Sequence, residues 1–214
     1  LDDDSLKVAI DHLSDISDPL ARALVWGSAW DSTRDAESYP SDYIDLVLGN
    51  IAPETESTTI RTTLAQVATV ARMYVSPEKR QAAVRRIADA MLSLAENAAP
   101  GSDGQFQFLR TFATMADTKE HGETLRAIRS GEKKFNGIEV DTDLSWDLLE
   151  GMVLSGVAGL KEIEDALAAD NTSNGQQAAA RLRATIPTAE GKRAVFELLR
   201  DDDSVPNALR SEEH

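Results

Sequence analysis

The sequence D-P-L-A-R-A-L-V-W-G-S-A-W-D-S-T-R, residues 18–34, is the stretch from which the fold of this chain can be predicted. It begins with a helix-start signature, Asp18 as the N-cap and Pro19 at the first helical position, where a missing N–H costs nothing. An apolar face follows at helical spacing, and it consists of Leu20, Ala23, Leu24, Gly27 and Trp30. Trp26 and Trp30 lie one turn apart among small residues. This pattern predicts a central helix with buried indoles, approached closely by other helices on more than one side.

The composition around this helix favours helices and excludes several classes of function. At 214 residues the chain can bury a real core, and its 42% apolar content is ordinary for a folded protein. A formal net charge of −15 argues against binding to nucleic acid or to an anionic membrane surface. The sequence has no cysteine, which excludes disulfides, thiolate catalysis and cysteine-ligated zinc sites and fits a cytoplasmic location. No apolar run approaches the length of a membrane span.

Start and stop signals for helices recur along the rest of the chain. We predict helix starts at Pro40, at Ser76-Pro77, at Thr118 and at Pro187, and a helix end at Gly131. Loops are predicted at 98–104 and 170–175, where polar residues and glycine cluster. Residues 132–141 are ambiguous, and a short extended or turn segment around Asn136-Gly137 fits them.

These signals predict a single all-α domain over residues 1–214. About ten or eleven helices fall into pairs of roughly 30 to 40 residues, which is the period of helix-hairpin solenoids. We therefore expect an irregular right-handed superhelix (α-solenoid) of antiparallel helix pairs, similar to HEAT and armadillo proteins. The helix pairs share no consensus sequence, so a regular repeat family is not indicated.

The sequence contains no recognisable catalytic, cofactor or metal motif. The three histidines, His12, His121 and His214, are isolated and match no zinc-ligand spacing, so we interpret them as surface residues. Ser28 and Ser155 lie near glycines but outside any G-x-S-x-G motif. Phosphate-binding glycine motifs are also missing. We predict no catalytic residues, no cofactor-binding residues and no metal ligands in this chain.

Carboxylates are abundant, and we interpret them as solvated helix ends and faces. The D-D-D runs at 2–4 and 201–203 and the pair Glu162 and Asp165 all fit this interpretation. Arg34, flanked by Asp31 and Asp35, has two interpretations. It either clamps carboxylates to fix the turn into the next helix, which we favour, or offers a cation to a substrate carboxylate.

Several segments resemble one known family in the family's own order along the chain. They are W-G-S-A-W-D-S-T-R-D-A-E (26–37), D-Y-I-D-L-V-L (42–48), A-A-P-G-S-D (98–103), G-I-E-V-D-T-D-L-S-W-D-L-L (137–149), D-N-T-S-N-G (170–175), P-T-A-E-G-K (187–192) and V-P-N-A-L (205–209). This ordered set resembles the C-terminal helical domain of bacterial aminopeptidase N, a zinc-dependent aminopeptidase. One departure is Ser145, where the family's wording has an arginine before the tryptophan. The change puts a local salt bridge, and any role of that position, in doubt.

The resemblance implies a HEAT-like domain that caps the active-site chamber of the parent enzyme and limits access of substrates. The family's His-Glu-x-x-His zinc motif and Gly-Ala-Met-Glu-Asn strand are absent from this sequence. Zinc would therefore belong to the parent enzyme, which would remove amino-terminal residues from peptides. We expect the chain to be an inactive C-terminal fragment whose partners are the catalytic domain of the same chain and, in the parent, a peptide. An alternative is a free-standing helical-repeat scaffold that binds a protein partner.

Overall fold

The computed structural model of this chain describes residues 1–186, together with Lys192, Arg193, Phe196 and Arg200. Within these residues the chain forms ten α-helices and no strand, which confirms the all-α prediction. The helices are α1 (Asp3–His12), α2 (Pro19–Arg34), α3 (Pro40–Asn50), α4 (Ser57–Thr69), α5 (Pro77–Asn97), α6 (Asp103–Met115), α7 (Lys119–Arg129), α8 (Thr142–Leu154), α9 (Leu160–Ala169) and α10 (Ser173–Thr185). A 3₁₀ turn (Leu13–Asp15) follows α1, and a π-helical turn (Val70–Tyr74) continues α4. The helix predicted from Pro187 and the acidic run 201–203 lie outside the described residues.

The helices begin and end at the predicted signals. The Asp18 carboxylate accepts a hydrogen bond from the Leu20 amide at 3.0 Å, and Thr118 Oγ1 accepts one from the His121 amide at 3.1 Å. Gly131 follows α7 with φ of +78°, a conformation that favours glycine. The ambiguous segment 132–141 forms a turn at Asn136-Gly137. Ser76 precedes α5 as predicted but makes no side-chain cap bond.

The arrangement of the helices is that of an α-solenoid-like stack. The even-numbered helices contact one another in succession, α2 with α4, α4 with α6, α6 with α8, and α8 with α10. A second set packs against this row, with α5 on α6, α7 on α8, and α9 on α10. Apolar side chains from all of these layers form one continuous core, in which Tyr43, Phe108 and Phe112 are among the largest fully buried side chains.

Close packing within the row depends on a glycine in α8. A Cβ atom at Gly151 would lie 2.4 Å from Leu125 Cδ1 and 2.5 Å from the Ala113 carbonyl oxygen. Those distances are far below van der Waals contact, so only glycine lets α8 approach both α6 and α7 this closely. The continuity of the row therefore depends on the missing side chain at this position.

The predicted orientation of α2 is wrong. Leu20 and Leu24, assigned to the core face, are each 67% exposed, whereas Trp26 and Ala29 are buried. The helix packs on α3, α4 and the 3₁₀ turn at one end of the stack, so it is an outer helix and not a central one. Trp26 is 3% exposed as predicted, whereas Trp30 is only partly buried. The rotation of α2 depends on hydrogen bonds made by polar side chains on its buried side, and the spacing of apolar residues does not reveal these.

Candidate functional site

An aromatic stack runs from the core to the surface between α2, α3 and the π-helical turn. The Trp30 ring centroid lies 6.0 Å from that of Tyr43 and 6.1 Å from that of Tyr74, which it meets nearly parallel at 21°. Tyr43 is fully buried and donates its hydroxyl to Gln66 Oε1 at 2.8 Å, and burial raises the pKa of Tyr43. Tyr74 is 38% exposed at the outer end. We refer to Tyr43, Trp30 and Tyr74 as the aromatic stack.

The π-helical turn places the outer ring of this stack. The Val75 amide donates to the Val70 carbonyl at 3.1 Å, a bond to the fifth residue back that inserts one extra residue into the turn. Arg72 donates to the Thr114 carbonyl and ties this turn to α6. Met73, beside the outer ring, is 70% exposed. Turns of this kind occur often at functional sites, and this one presents an aromatic ring and a thioether to solvent.

Arg34 lies at the end of α2 and has carboxylate partners on both sides. Its guanidinium lies 3.2 Å from Asp31 Oδ1 and 3.1 Å from Asp35 Oδ1. The hydrogen bond to Asp35, with the charges of Asp35 and Asp31, raises the pKa of Arg34. The interpretation of Arg34 as a carboxylate clamp is confirmed.

A buried ion pair joins α2 to the segment after α3, and sequence reasoning missed it. Arg22 Nη2 and Nε donate to the two carboxylate oxygens of Glu54 at 2.8 and 2.9 Å, and Trp26 Nε1 adds a third bond at 3.3 Å. The Thr55 amide also donates to this carboxylate, at 3.0 Å. These bonds, chiefly those from Arg22, lower the pKa of Glu54 to about 2. Each carboxylate oxygen is satisfied inside the protein, so the pair positions α2.

His121 is buried, which corrects its interpretation as a surface residue. Its Nε2 lies 2.8 Å from Asp89 Oδ1, and its Nδ1 accepts from the Asp117 amide at 3.4 Å. Both ring nitrogens therefore have a polar partner inside the fold. Its edge also meets the Phe112 ring at 5.4 Å. The side chain therefore links α7 to α5 and α6.

The other residues singled out in the sequence lie apart from one another. His12 is exposed and meets Asp15 at 3.1 Å, while His214 lies outside the described residues. Ser28 Oγ accepts from the Leu1 ammonium at 3.2 Å, and Ser155 Oγ donates to the Gly151 carbonyl at 2.7 Å. Neither arrangement is that of an activated nucleophile, which needs an adjacent base.

The carboxylates of α9 lie at the start of the helix and on its exposed face, as predicted. Glu162 accepts from the Gly159 amide at 2.9 Å, and this bond lowers the pKa of Glu162. Asp165 pairs with Lys161 at 2.6 Å on the exposed face. Across residues 1–186 and the four described residues beyond them, no group of three or more His, Asp or Glu side chains is placed to hold a metal ion.

Ser145, at which the sequence departs from the family motif, contacts a cationic side chain. Arg129 Nε lies 3.1 Å from both the carbonyl oxygen and the Oγ of Ser145. Arg129 is half-buried, and this burial lowers the pKa of the guanidinium. The guanidinium of Arg129 therefore ties α7 to the first turn of α8 at this position.

Comparison with known proteins identifies the family of the chain. A protein-family model described as ERAP1-like C-terminal domain matches residues 1–211. Aminopeptidase N of Streptomyces lividans is 37% identical over 210 residues, which cover 98% of this chain and 24% of that protein. The chain thus spans about a quarter of the length of the curated relative it matches. Among the helices described, none is both long and apolar enough to cross a membrane.

Proposed function

Because this chain belongs to the ERAP1-like C-terminal domain family, we propose that it is the non-catalytic C-terminal domain of a zinc aminopeptidase. The parent enzyme would remove amino-terminal residues from peptides. The observation that carries this proposal is the family match over residues 1–211, which the 37% identity to an aminopeptidase N supports. A cytoplasmic location belongs to the proposal and is supported by the cysteine-free composition.

Zinc would be held by the part of the parent that lies outside this chain. The described residues supply no ligand set that fits the ion, so this domain's contribution would be made through its surface. We propose that the domain caps the active-site chamber and limits access of substrates. A stack whose helices follow one another in a row offers the extended face that such a cap needs.

The aromatic stack is the described feature best suited to contact a peptide. Tyr74 and Met73 present apolar surface to solvent, while Tyr43 and Trp30 hold the outer ring from below. A ring that is already ordered loses little conformational entropy when a chain packs on it. A longer peptide would reach the stack, and a dipeptide-sized substrate would not.

The test is Tyr74→Ala in the full-length parent, with kcat/KM measured for a dipeptide-sized reporter and for a longer peptide. We expect kcat/KM for the longer peptide to fall about two- to tenfold, since an aromatic contact contributes about 0.5–1.5 kcal/mol. The value for the small reporter should stay unchanged. Tyr39→Ala is the matched control, because Tyr39 is 76% exposed and lies outside the stack.

Equal losses for both substrates, or no loss for either, would contradict a role of the stack in selecting peptides. A parent that hydrolyses neither substrate, although folded and loaded with zinc, would contradict the proposed function as a whole. In that case a helical scaffold domain that binds a protein partner becomes the better interpretation.

A further inference from the structure

The four methionines of this chain, all of them among the described residues, differ in exposure. Met91 and Met115 are 0% exposed and Met152 is 3% exposed, whereas Met73 is 70% exposed. Methionine is among the residue types most often found in the core, so a thioether this open is unusual. The sequence contains no cysteine, the other side chain with a sulfur atom. A dissolved reagent therefore reaches the sulfur of Met73 without any opening of the fold, and the other three only after one.

The π-helical turn holds Met73 at the surface. Val70 and Ala71 of the same turn are fully buried, so they fix which side of the turn faces the core. On the other side of Met73 in sequence, the Tyr74 ring stacks on that of Trp30. Turning Met73 inward would move these anchored neighbours. The thioether therefore stays exposed, beside the outer ring of the aromatic stack.

An exposed thioether reacts with a hydroperoxide such as hydrogen peroxide, and the product is methionine sulfoxide. The S–O bond forms as the O–O bond of the peroxide breaks. Sulfur gives up two electrons, and the second oxygen leaves as water with both hydrogens of the peroxide. The product has a polar oxygen where the side chain was apolar, and methionine sulfoxide reductases reverse the change.

We infer that Met73 is a reversible oxidation site that switches the surface beside the aromatic stack between an apolar and a polar state. The inference rests on the proposed function in one respect, namely that a peptide packs on this surface. A peptide that covers the oxidised side chain buries a sulfoxide oxygen without a hydrogen bond, which is unfavourable. Hydroperoxides would thus slow the hydrolysis of longer peptides and leave dipeptide-sized substrates unaffected.

Peroxide treatment followed by peptide mass spectrometry tests the site itself, in the 214-residue chain and in the full-length parent. We expect Met73 to be oxidised about tenfold faster, or faster still, than Met91, Met115 and Met152, because those three need an opening of the core. All four should react alike in denaturant, and a methionine sulfoxide reductase should restore Met73. If Met73 is as slow as the buried three in either folded protein, the inference is overturned.

Kinetics of the full-length parent test the switch. After peroxide treatment we expect kcat/KM for a longer peptide to fall about fivefold or more and to recover with the reductase, while the value for a dipeptide-sized reporter stays the same. Met73→Leu is the matched variant, because it lacks the sulfur. Its own kcat/KM for the longer peptide should be equal before and after treatment. An unchanged value in a parent oxidised at Met73, or an equal fall in Met73→Leu, would overturn the inference.

The two proposals fail in different experiments. Mass spectrometry reads the oxidation of Met73 without any peptide hydrolysis. A folded, zinc-loaded parent that is oxidised at Met73 but hydrolyses neither substrate would therefore refute the proposed function and not the oxidation site. A parent that hydrolyses both substrates equally well in the reduced and oxidised forms would refute only the switch.

Discussion

At the scale of single residues, a few buried polar groups fix how neighbouring helices and loops are held together. Glu54 binds Arg22 through both carboxylate oxygens and also accepts from Trp26, so one acid holds a helix and a loop together. His121 has the same kind of role between α7 and Asp89 on α5. Both residues are fully paired within the fold, which is the condition under which buried polar groups stabilise it.

We expect Glu54→Gln to lower the free energy of unfolding by about 3 kcal/mol, because it leaves the Arg22 guanidinium without its charge partner. The folded chain holds the pKa of Glu54 at about 2, against 4.5 ordinarily. The ionised pair therefore stabilises the fold above pH 4.5, and this contribution is lost as the pH falls toward 2. Denaturant unfolding from pH 7 to pH 2 measures both effects, and the variant should lose less stability over the acid range than the parent sequence.

Glu37→Gln is the control for this experiment, because Glu37 is exposed and the substitution removes a charge of the same kind. Its unfolding free energy should stay within about 0.5 kcal/mol of the parent sequence. Identical acid profiles for the parent sequence and Glu54→Gln would contradict the assigned role of the pair.

At the scale of helices, start and stop signals were predictable and orientation was not. Asp18-Pro19 and Gly131 act locally, so residue type alone predicts helix ends at these positions. The rotation of α2 instead depends on Glu54, which lies 32 residues from Arg22. Leucines at helical spacing indicated the wrong face for this reason. The π-helical turn escaped prediction too, because Ala71 and Tyr74 fit a continuous α-helix equally well.

Two glycines inside helices should respond oppositely to substitution by alanine in the 214-residue chain. Gly151→Ala should lower the free energy of unfolding by about 1–3 kcal/mol, since its Cβ would clash with the Ala113 carbonyl. Gly27→Ala should raise it by about 0.5–1 kcal/mol, because no atom lies within 4 Å of the new Cβ and alanine favours the helix. Thermal and urea unfolding check both, and a Gly151→Ala variant as stable as the parent sequence, or more stable, would refute the close approach of α8.

At the scale of the whole molecule, the fold class followed from composition and spacing, whereas the candidate surface did not. Alanine and leucine at helical spacing predict a helical stack. The aromatic stack unites Trp30, Tyr43 and Tyr74 from three elements, and no local pattern connects residues so far apart along the chain. The resemblance to the family predicted more than the spacing did. An ordered set of matching segments carries information about the whole domain, which helical spacing alone lacks.

Amide hydrogen exchange should reveal a gradient of stability along the stack. Helices α6 and α8 have neighbours on both sides in the row, while α2 and α10 lie at the ends of the described part. Amides of α6 and α8 should exchange about tenfold more slowly than those of α2 and α10, because a solenoid unfolds most readily from its ends. Mass spectrometry of the 214-residue chain measures this gradient. Uniform protection from α2 to α10 would indicate a single cooperative unit instead.

The π-helical turn also has a consequence for how the sequence can change. A turn that closes to the fifth residue back holds one residue more than an α-helix needs, so the loss of a single codon between Val70 and Tyr74 could restore an unbroken helix. Each residue turns an α-helix by about 100°. Such a deletion would swing Tyr74 away from Trp30 while the helices before and after it kept their sequences. The gain or loss of one residue at this place would therefore create or remove the stacking of Tyr74 on Trp30 in a single mutation.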